Sequence, residues 1–149
     1  MKVHLREMVK RDMEGVLAME CVENPCWCRD DYDTLLRRRN AAGMVAEQGD
    51  MIHGVMVYIR TAKRIEIKRF LVDRDSRRKT VGTQMFYKLA DKLAPQRRTK
   101  LVFSTSEYET PGHLFLRDMG CICTGVHRGV FDGADEYRFV FKIKEGVAA

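Results

Sequence analysis

The stretch Ile65-Glu66-Ile67-Lys68-Arg69-Phe70-Leu71-Val72-Asp73-Arg74-Asp75-Ser76-Arg77-Arg78-Lys79-Thr80-Val81-Gly82-Thr83 decides how this chain is read. Its β-branched and aromatic residues predict a strand over Arg64–Val72. Beyond it, Val81, Met85, Leu89 and Leu93 recur at i+4, thickened by Phe86 and Ala90. That spacing predicts an amphipathic helix from Val81 to Ala94, ended by Pro95. The basic segment between them runs into the helix start. First-turn N–H groups lack helical partners and carry partial positive charge, so such a junction attracts anions. Gly82 permits close approach of a phosphate. The Gly-Lys-Ser/Thr ending of a Walker loop is missing. On this stretch alone, a solvated basic loop is the plainer alternative. Within the strand, Ile65 and Ile67 have odd parity, whereas Phe70 and Val72 have even parity. Either a bulge lies near Lys68-Arg69, or the far end is covered on both faces.

Outward from this stretch, the pattern stays regular. Val3–Arg6 reads as a strand and Asp12 to Glu20 as a helix carrying Met13, Val16, Leu17 and Met19, stopped by Asn24-Pro25. Asp30 to Arg39 reads as a second helix, acidic first and basic last, closed by Gly43. Met44–Gln48 and Met51–Arg60 flank Gly49-Asp50, a hairpin signal. Lys100–Thr105 is a strand. Thr110-Pro111 opens a helix to Met119, with Gly120 as its stop. Cys121–Phe131 and Glu136–Lys144 form a last hairpin around Asp132-Gly133. The order β, α, α, β, β, β, α, β, α, β, β predicts a mixed α/β domain with helices on the faces of its sheet.

A chain of 149 residues fits one domain, here 1–149. Its 45% hydrophobic and 32% charged residues are those of a soluble globular protein. No apolar run reaches a membrane span, so no membrane partner is expected. The opening Met1-Lys2-Val3-His4-Leu5-Arg6-Glu7 lacks an apolar leader, from which a cytoplasmic location is expected. The net charge of +6 suits a polyanionic ligand without choosing among coenzyme A, nucleic acid and acidic peptides. The five cysteines, Cys21, Cys26, Cys28, Cys121 and Cys123, are expected as reduced thiols. Their Cys-x-Cys pairs fall one residue short of the usual structural zinc spacing, so no metal is expected.

The stretch Ile65 to Leu93 resembles the core motif of GNAT N-acetyltransferases, a strand followed by Arg/Gln-x-x-Gly-x-Gly/Ala and an amphipathic helix; here it reads Arg77-x-x-Thr80-x-Gly82. Cys26-Trp27-Cys28 resembles the Pro-Trp-Ser segment of ribosomal-protein alanine N-acetyltransferases. His113-Leu114-Phe115-Leu116-Arg117-Asp118-Met119-Gly120-Cys121 resembles the family's late helix and strand start. The resemblance implies a GNAT-like, mostly antiparallel sheet of about seven strands and acetyl-CoA as cofactor. It implies that Leu71 and Val72 pair with the pantetheine arm through their backbones, and that N–H groups from Arg78 through Lys79, Thr80, Val81 and Gly82 to Thr83 hold the pyrophosphate. Arg77, Arg78 and Lys79 are implied to add charge there or at the ribose phosphate. Glu66 matches the general base of the histone-acetylating branch. The base position of the alanine-acetylating branch falls on Ser104. Thr80 stands where the family has glycine, and the frequent general-acid tyrosine falls on Leu116; Tyr108 lies nearby in sequence without a basis for the role. Thr80 is expected at negative φ, with its hydroxyl on the helix end or a phosphate oxygen.

The implied chemistry is direct attack of an amine on the thioester in a ternary complex. An α-amine with pKa near 8 is about a tenth neutral at pH 7, a lysine only about one part in 2,500. One base and no acid therefore fit a peptide α-amine or small-molecule amine better than an unassisted lysine. A catalytically weak acyl-CoA-binding module, a lysine acetyltransferase and a basic RNA- or ribosome-associated protein are the alternatives. Nucleic acid is disfavoured because no aromatic-basic alternation supports base stacking; a homodimer is left open. Of the remaining residues, Trp27 either caps the core between two helices or lines the acceptor site. Glu66 has a simpler reading as a strand carboxylate paired with Lys68 or Arg69. His113 and His127 are expected in structural or solvent roles, Cys121 as a buried thiol, and Arg37-Arg38-Arg39 as a solvated helix end.

Overall fold

The computed structural model describes residues 2–23, 26–76, 80–106, 110–131 and 133–143. The strands are β1 His4–Glu7, β2 Ala41–Gln48, β3 Met51–Arg60, β4 Arg64–Val72, β5 Lys100–Ser106, β6 Ile122–Phe131 and β7 Ala134–Lys142. The helices are α1 Met13–Glu20, α2 Arg29–Leu36, α3 Val81–Ala90 and α4 Thr110–Asp118, with 3₁₀ turns at Lys10–Asp12 and Arg74–Ser76. The strands order as β1-β2-β3-β4-β5-β7-β6 in one seven-stranded mixed sheet. The chain divides into two compact units, Met1–Arg60 with Lys68–Asp91, and Thr61–Ile67 with Lys92–Ala149. No described helix is long and apolar enough to cross a membrane.

In the first unit, β1 pairs antiparallel with β2, and β2 with β3. The β2–β3 turn at Gly49-Asp50 has Gly49 at φ +62, and Asp50 is not among the described non-glycine residues with positive φ. This matches a type II′ hairpin, whose twist suits the strands. Opposite residues share a face, so Val45, Val55 and Val57 look one way. That face packs Met13, Val16 and Met19 of α1, Tyr32 of α2 and Leu71 of β4. The other face meets α3. A Cβ on Gly54 would lie 2.6 Å from Met85 Sδ, so a larger residue there would force the Met85 side chain to shift. Arg6 ties β1 and β2 to the start of α1, meeting Asp12 at 2.8 Å and Glu47 at 3.0 Å. Its guanidinium holds both carboxyls below their ordinary range.

In the second unit, β4 pairs parallel with β5 from Arg64↔Lys100 to Ile67↔Phe103. Antiparallel ladders join β5 to β7 and β7 to β6. Leu101, Phe103 and Phe139 share one face and are buried, and Leu116 of α4 is buried as well. His113 donates from Nε2 to the Ser106 carbonyl at 3.0 Å and stacks on Tyr137. Cys121 is buried, which pushes its thiol up to about 12. The structural readings of His113 and Cys121 therefore hold.

Several expectations change. The second helix stops at Leu36, and Gly43 lies inside β2 rather than closing it. Ala41 and Ala42 pair with Ile59 and Tyr58, so the sheet ladder overrides the helical pattern. Arg37, Arg38 and Arg39 are exposed, as a solvated helix end requires. α3 ends at Ala90 instead of Ala94, since Ala94 N–H turns to bond the Arg98 carbonyl at 2.9 Å. The last strand begins at Ala134 instead of Glu136. In β4, Ile65, Ile67 and Leu71 are all buried and Phe70 and Val72 half-buried. Burial thus falls on odd positions, with partial cover of Phe70 and Val72 at the strand end. The stops at Asn24-Pro25 and Asp132 lie outside the described residues, as does the last strand's expected end at Lys144.

Candidate active site

The junction of β4 with α3 is the anion-attracting feature of the first unit. The helical ladder of α3 begins with Gln84 N–H on the Thr80 carbonyl, 2.9 Å. The N–H groups of Val81, Gly82 and Thr83 therefore precede the ladder and are left to bind something else. Contrary to expectation, Thr80 sits in the left-handed region at φ 66, ψ 6, the sole described non-glycine residue with positive φ. Its hydroxyl makes no cap bond to the helix. Gln84 Nε2 instead donates to Thr80 Oγ1 at 3.1 Å and to its carbonyl at 3.3 Å. The left-handed turn costs on the order of 1–2 kcal/mol. Burial of Val81 and Met85 directly after it contributes about 1.5–3 kcal/mol each, so the fold sustains it. A left-handed residue followed by a helical one turns successive N–H groups inward, an anion-binding nest. Arg77, Arg78 and Lys79 lie outside the described residues, as does Tyr108.

Just before this junction, a polar latch fixes the end of β4. His53 Nδ1 lies 2.8 Å from the buried Ser76 Oγ, and Ser76 Oγ donates to Asp73 Oδ2 at 3.4 Å. The Asp73 N–H donates to the His53 carbonyl at 2.8 Å. β3 thereby grips both ends of the turn that leads toward Thr80.

A second cluster escaped the reading of the sequence. Glu20, at the end of α1, has only 1% of its side chain exposed. It accepts from Arg69 Nε at 2.9 Å, from Arg69 Nη2, from the Tyr32 hydroxyl and from the Trp27 N–H at 3.1 Å. Arg69 also lies 5.4 Å from the Trp27 ring centre, and Trp27 meets Tyr32 edge-on at 5.3 Å. Burial, and then the neighbouring Glu20 carboxylate, push the Tyr32 hydroxyl above its usual range. Trp27 thus packs against the core, while Cys26 and Cys28 beside it are exposed. The missed signal was positional: Glu20 falls four residues after Val16, on the buried stripe of α1. Glu20→Ala is expected to cost about 3–5 kcal/mol in a urea titration, because it strands a buried guanidinium. Glu20→Leu combined with Arg69→Leu should recover part of that loss, since the Tyr32 hydroxyl and the Trp27 N–H still lose their acceptor; equal losses in single and double variants would refute the coupling.

In the second unit, register puts Glu66 opposite Val102 and Ser104 opposite Arg138. Alternation along β5 places Glu66 and Ser104 on the same face. Glu66 is half-buried, and Arg64 Nε lies 3.7 Å from its carboxylate. Leu116 is buried.

The model of the acetyltransferase (GNAT) family matches residues 4–121. No curated protein matches the chain significantly. The fold is similar to that of the ribosomal-protein-S18-alanine N-acetyltransferase from Escherichia coli, with TM-score 0.82 and 12% identity over 99% of this chain and 100% of that one. It is similar to Arabidopsis thaliana NAA60 in complex with a bisubstrate analogue, at TM-score 0.79 and 12% identity over 96% and 99%. A GNAT family acetyltransferase from Elizabethkingia anophelis with acetyl-CoA bound gives TM-score 0.76 and 15% identity over 95% and 98%. The family match spans the strand, the left-handed junction and the helix already described, and this protein belongs to the GNAT family of N-acetyltransferases, which draw their acetyl group from acetyl-CoA.

Proposed function

We propose that the protein acetylates an α-amine, either a peptide N-terminus or a small-molecule amine, by direct attack in a ternary complex. The observation that carries this reading is the left-handed Thr80 at the head of α3, which supplies an anion nest. The N–H groups of Val81, Gly82 and Thr83 take the pyrophosphate, with charge from Arg77, Arg78 and Lys79. The backbones of Leu71 and Val72 take the pantetheine arm. The amine nitrogen attacks the thioester carbonyl carbon. The C–N bond forms, the C–S bond breaks, and coenzyme A leaves as a thiolate of pKa near 8.5 that needs no acid. Glu66 takes the proton from nitrogen. The absence of a base at Ser104 and of an acid at Leu116 favours an acceptor already partly neutral at pH 7. The same two residues support a second reading, a weak acyl-CoA-binding module. The place of work we propose is the cytoplasm.

Thiol release from acetyl-CoA, followed across peptides with free N-termini, alkylamines and N-blocked lysine peptides, tests the reading. Turnover on α-amines above lysine side chains is expected. Binding of acetyl-CoA without turnover on any amine would favour the module instead.

Thr80→Gly should match or exceed the wild-type melting temperature and acetyl-CoA affinity. It removes about 1–2 kcal/mol of left-handed cost, against about 0.4–1 kcal/mol of added unfolded-state entropy and the exposed bond from Gln84 that glycine and alanine both lose. Thr80→Ala should be less stable than either: like glycine it loses the bond from Gln84, and unlike glycine it keeps the Cβ that the left-handed backbone disfavours. Calorimetric melting of the three proteins decides; an Ala variant as stable as the Gly one would contradict the strain.

A further inference from the structure

One residue of β3 stands out of register. Ala46 of β2 pairs with Gly54 and Glu47 with Ile52, so His53 is the extra residue of a bulge. The faces show the same break. Ile52 packs on the α1 face, whereas a Cβ on Gly54 would point at α3, 2.6 Å from Met85 Sδ and 3.4 Å from Val81 Cγ1. In a regular strand those two positions share a face. Bulges disrupt the ladder and concentrate at sheet edges and beside active sites, where they re-aim a side chain. β3 is an interior strand. This bulge brings the half-buried His53 to the buried Ser76, with Nδ1 2.8 Å from Oγ. The serine hydroxyl has one proton and gives it to Asp73 Oδ2. His53 Nδ1 is therefore the donor to Ser76 Oγ. Two consecutive residues of β3 thus hold the chain on both sides of Thr80: His53 binds Ser76, four residues before it, and Gly54 backs onto Val81, the residue after it.

We propose that His53 is a positioning residue of the acetyl-CoA site, fixing through Ser76 the point from which the chain enters the anion nest at the head of α3. The inference rests on the assignment of the pyrophosphate to that head. Four Cα steps of about 3.8 Å separate Ser76 from Thr80, so the place of Ser76 limits where the nest can stand. A nest acts only while its N–H groups converge on one anion. Its left-handed Thr80 is strained, and such a conformation persists only where the surroundings over-determine it. The latch on Ser76 and the seat of Val81 do so from either side. Without His53 the turn gains freedom that binding must then remove, and that loss falls on the phosphate end of the cofactor.

The test titrates acetyl-CoA and S-acetylpantetheine, which lacks the pyrophosphate, into wild type, His53→Leu, His53→Asn, His53→Gln, Ser76→Ala and the double variant of His53→Leu with Ser76→Ala. A melting curve accompanies each. For His53→Leu and Ser76→Ala, the Kd for acetyl-CoA should rise roughly three- to tenfold, the worth of about one hydrogen bond, while that for acetylpantetheine holds. The double variant should bind no worse than the weaker single one, because both act through one bond. Asn places an N–H donor near the position of Nδ1 and should restore most of the affinity that Leu loses. Gln reaches toward the position of Nε2 and should not. An unchanged Kd for acetyl-CoA, equal weakening of both ligands, or no gain of Asn over Gln would overturn the proposal. Should His53→Leu fail to fold, Ser76→Ala gives the same reading. If wild type itself binds the two ligands equally, the pyrophosphate assignment falls first and the proposal with it.

Discussion

Glu66→Gln is expected to lower kcat by roughly 10- to 1,000-fold at pH 7, the span of a general-base contribution. The amine must lose a proton as the C–N bond forms, and Glu66 is the carboxylate that β4 offers on the polar face, half-buried beside Arg64. Ser104 shares that face but is no base at neutral pH. The loss has a signed pH dependence. As pH rises toward the acceptor's pKa, the neutral amine accumulates without help, so wild type and variant should converge. Below pH 7 they should diverge. The check is a pair of kcat profiles on one peptide. A variant profile parallel to wild type across the whole range would remove Glu66 from proton transfer.

The fold was readable where local chemistry and tertiary structure agree. Met51–Arg60 and Arg64–Val72 have the boundaries their composition predicts, because strand-forming side chains, turn residues and sheet pairing all coincide there. Disagreement appeared where distant partners decide. Gly43 reads locally as a helix stop, yet its place is set by pairing with Val57 across the sheet. The apolar stripe of α3 extends to Leu93 in sequence, but the chain turns at Asp91 to let Ala94 bond Arg98.

The candidate site divides in the same way. The attraction of the α3 head for anions follows from any helix start after a basic loop, so the sequence carries it. The conformation of Thr80 does not follow, since intrinsic preference points to negative φ and only bonds from Gln84 and packing behind Val81 reverse it. The Glu20–Arg69 pair joins residues 49 apart and the His53–Ser76 latch residues 23 apart. Neither separation leaves a local pattern. Only the burial phase of Glu20 on α1, and the odd parity of Arg69 on β4, hinted that two charges faced the core.

The central claim is that acetyl-CoA is held by the head of α3. Gly82 is the second residue of that helix, half-buried, and its N–H belongs to the first turn. Valine there would put two methyl groups where a phosphate must approach. The change should not unfold the helix, because glycine is the poorer helix former by a few tenths of a kcal/mol or more. Stability and binding are thus separable in one variant. Isothermal titration of acetyl-CoA into wild type and Gly82→Val, with melting curves of both, is the direct measurement. We expect saturable binding to wild type and no measurable binding to Gly82→Val at equal or higher melting temperature. Binding of Gly82→Val with wild-type affinity would show that the pyrophosphate lies elsewhere.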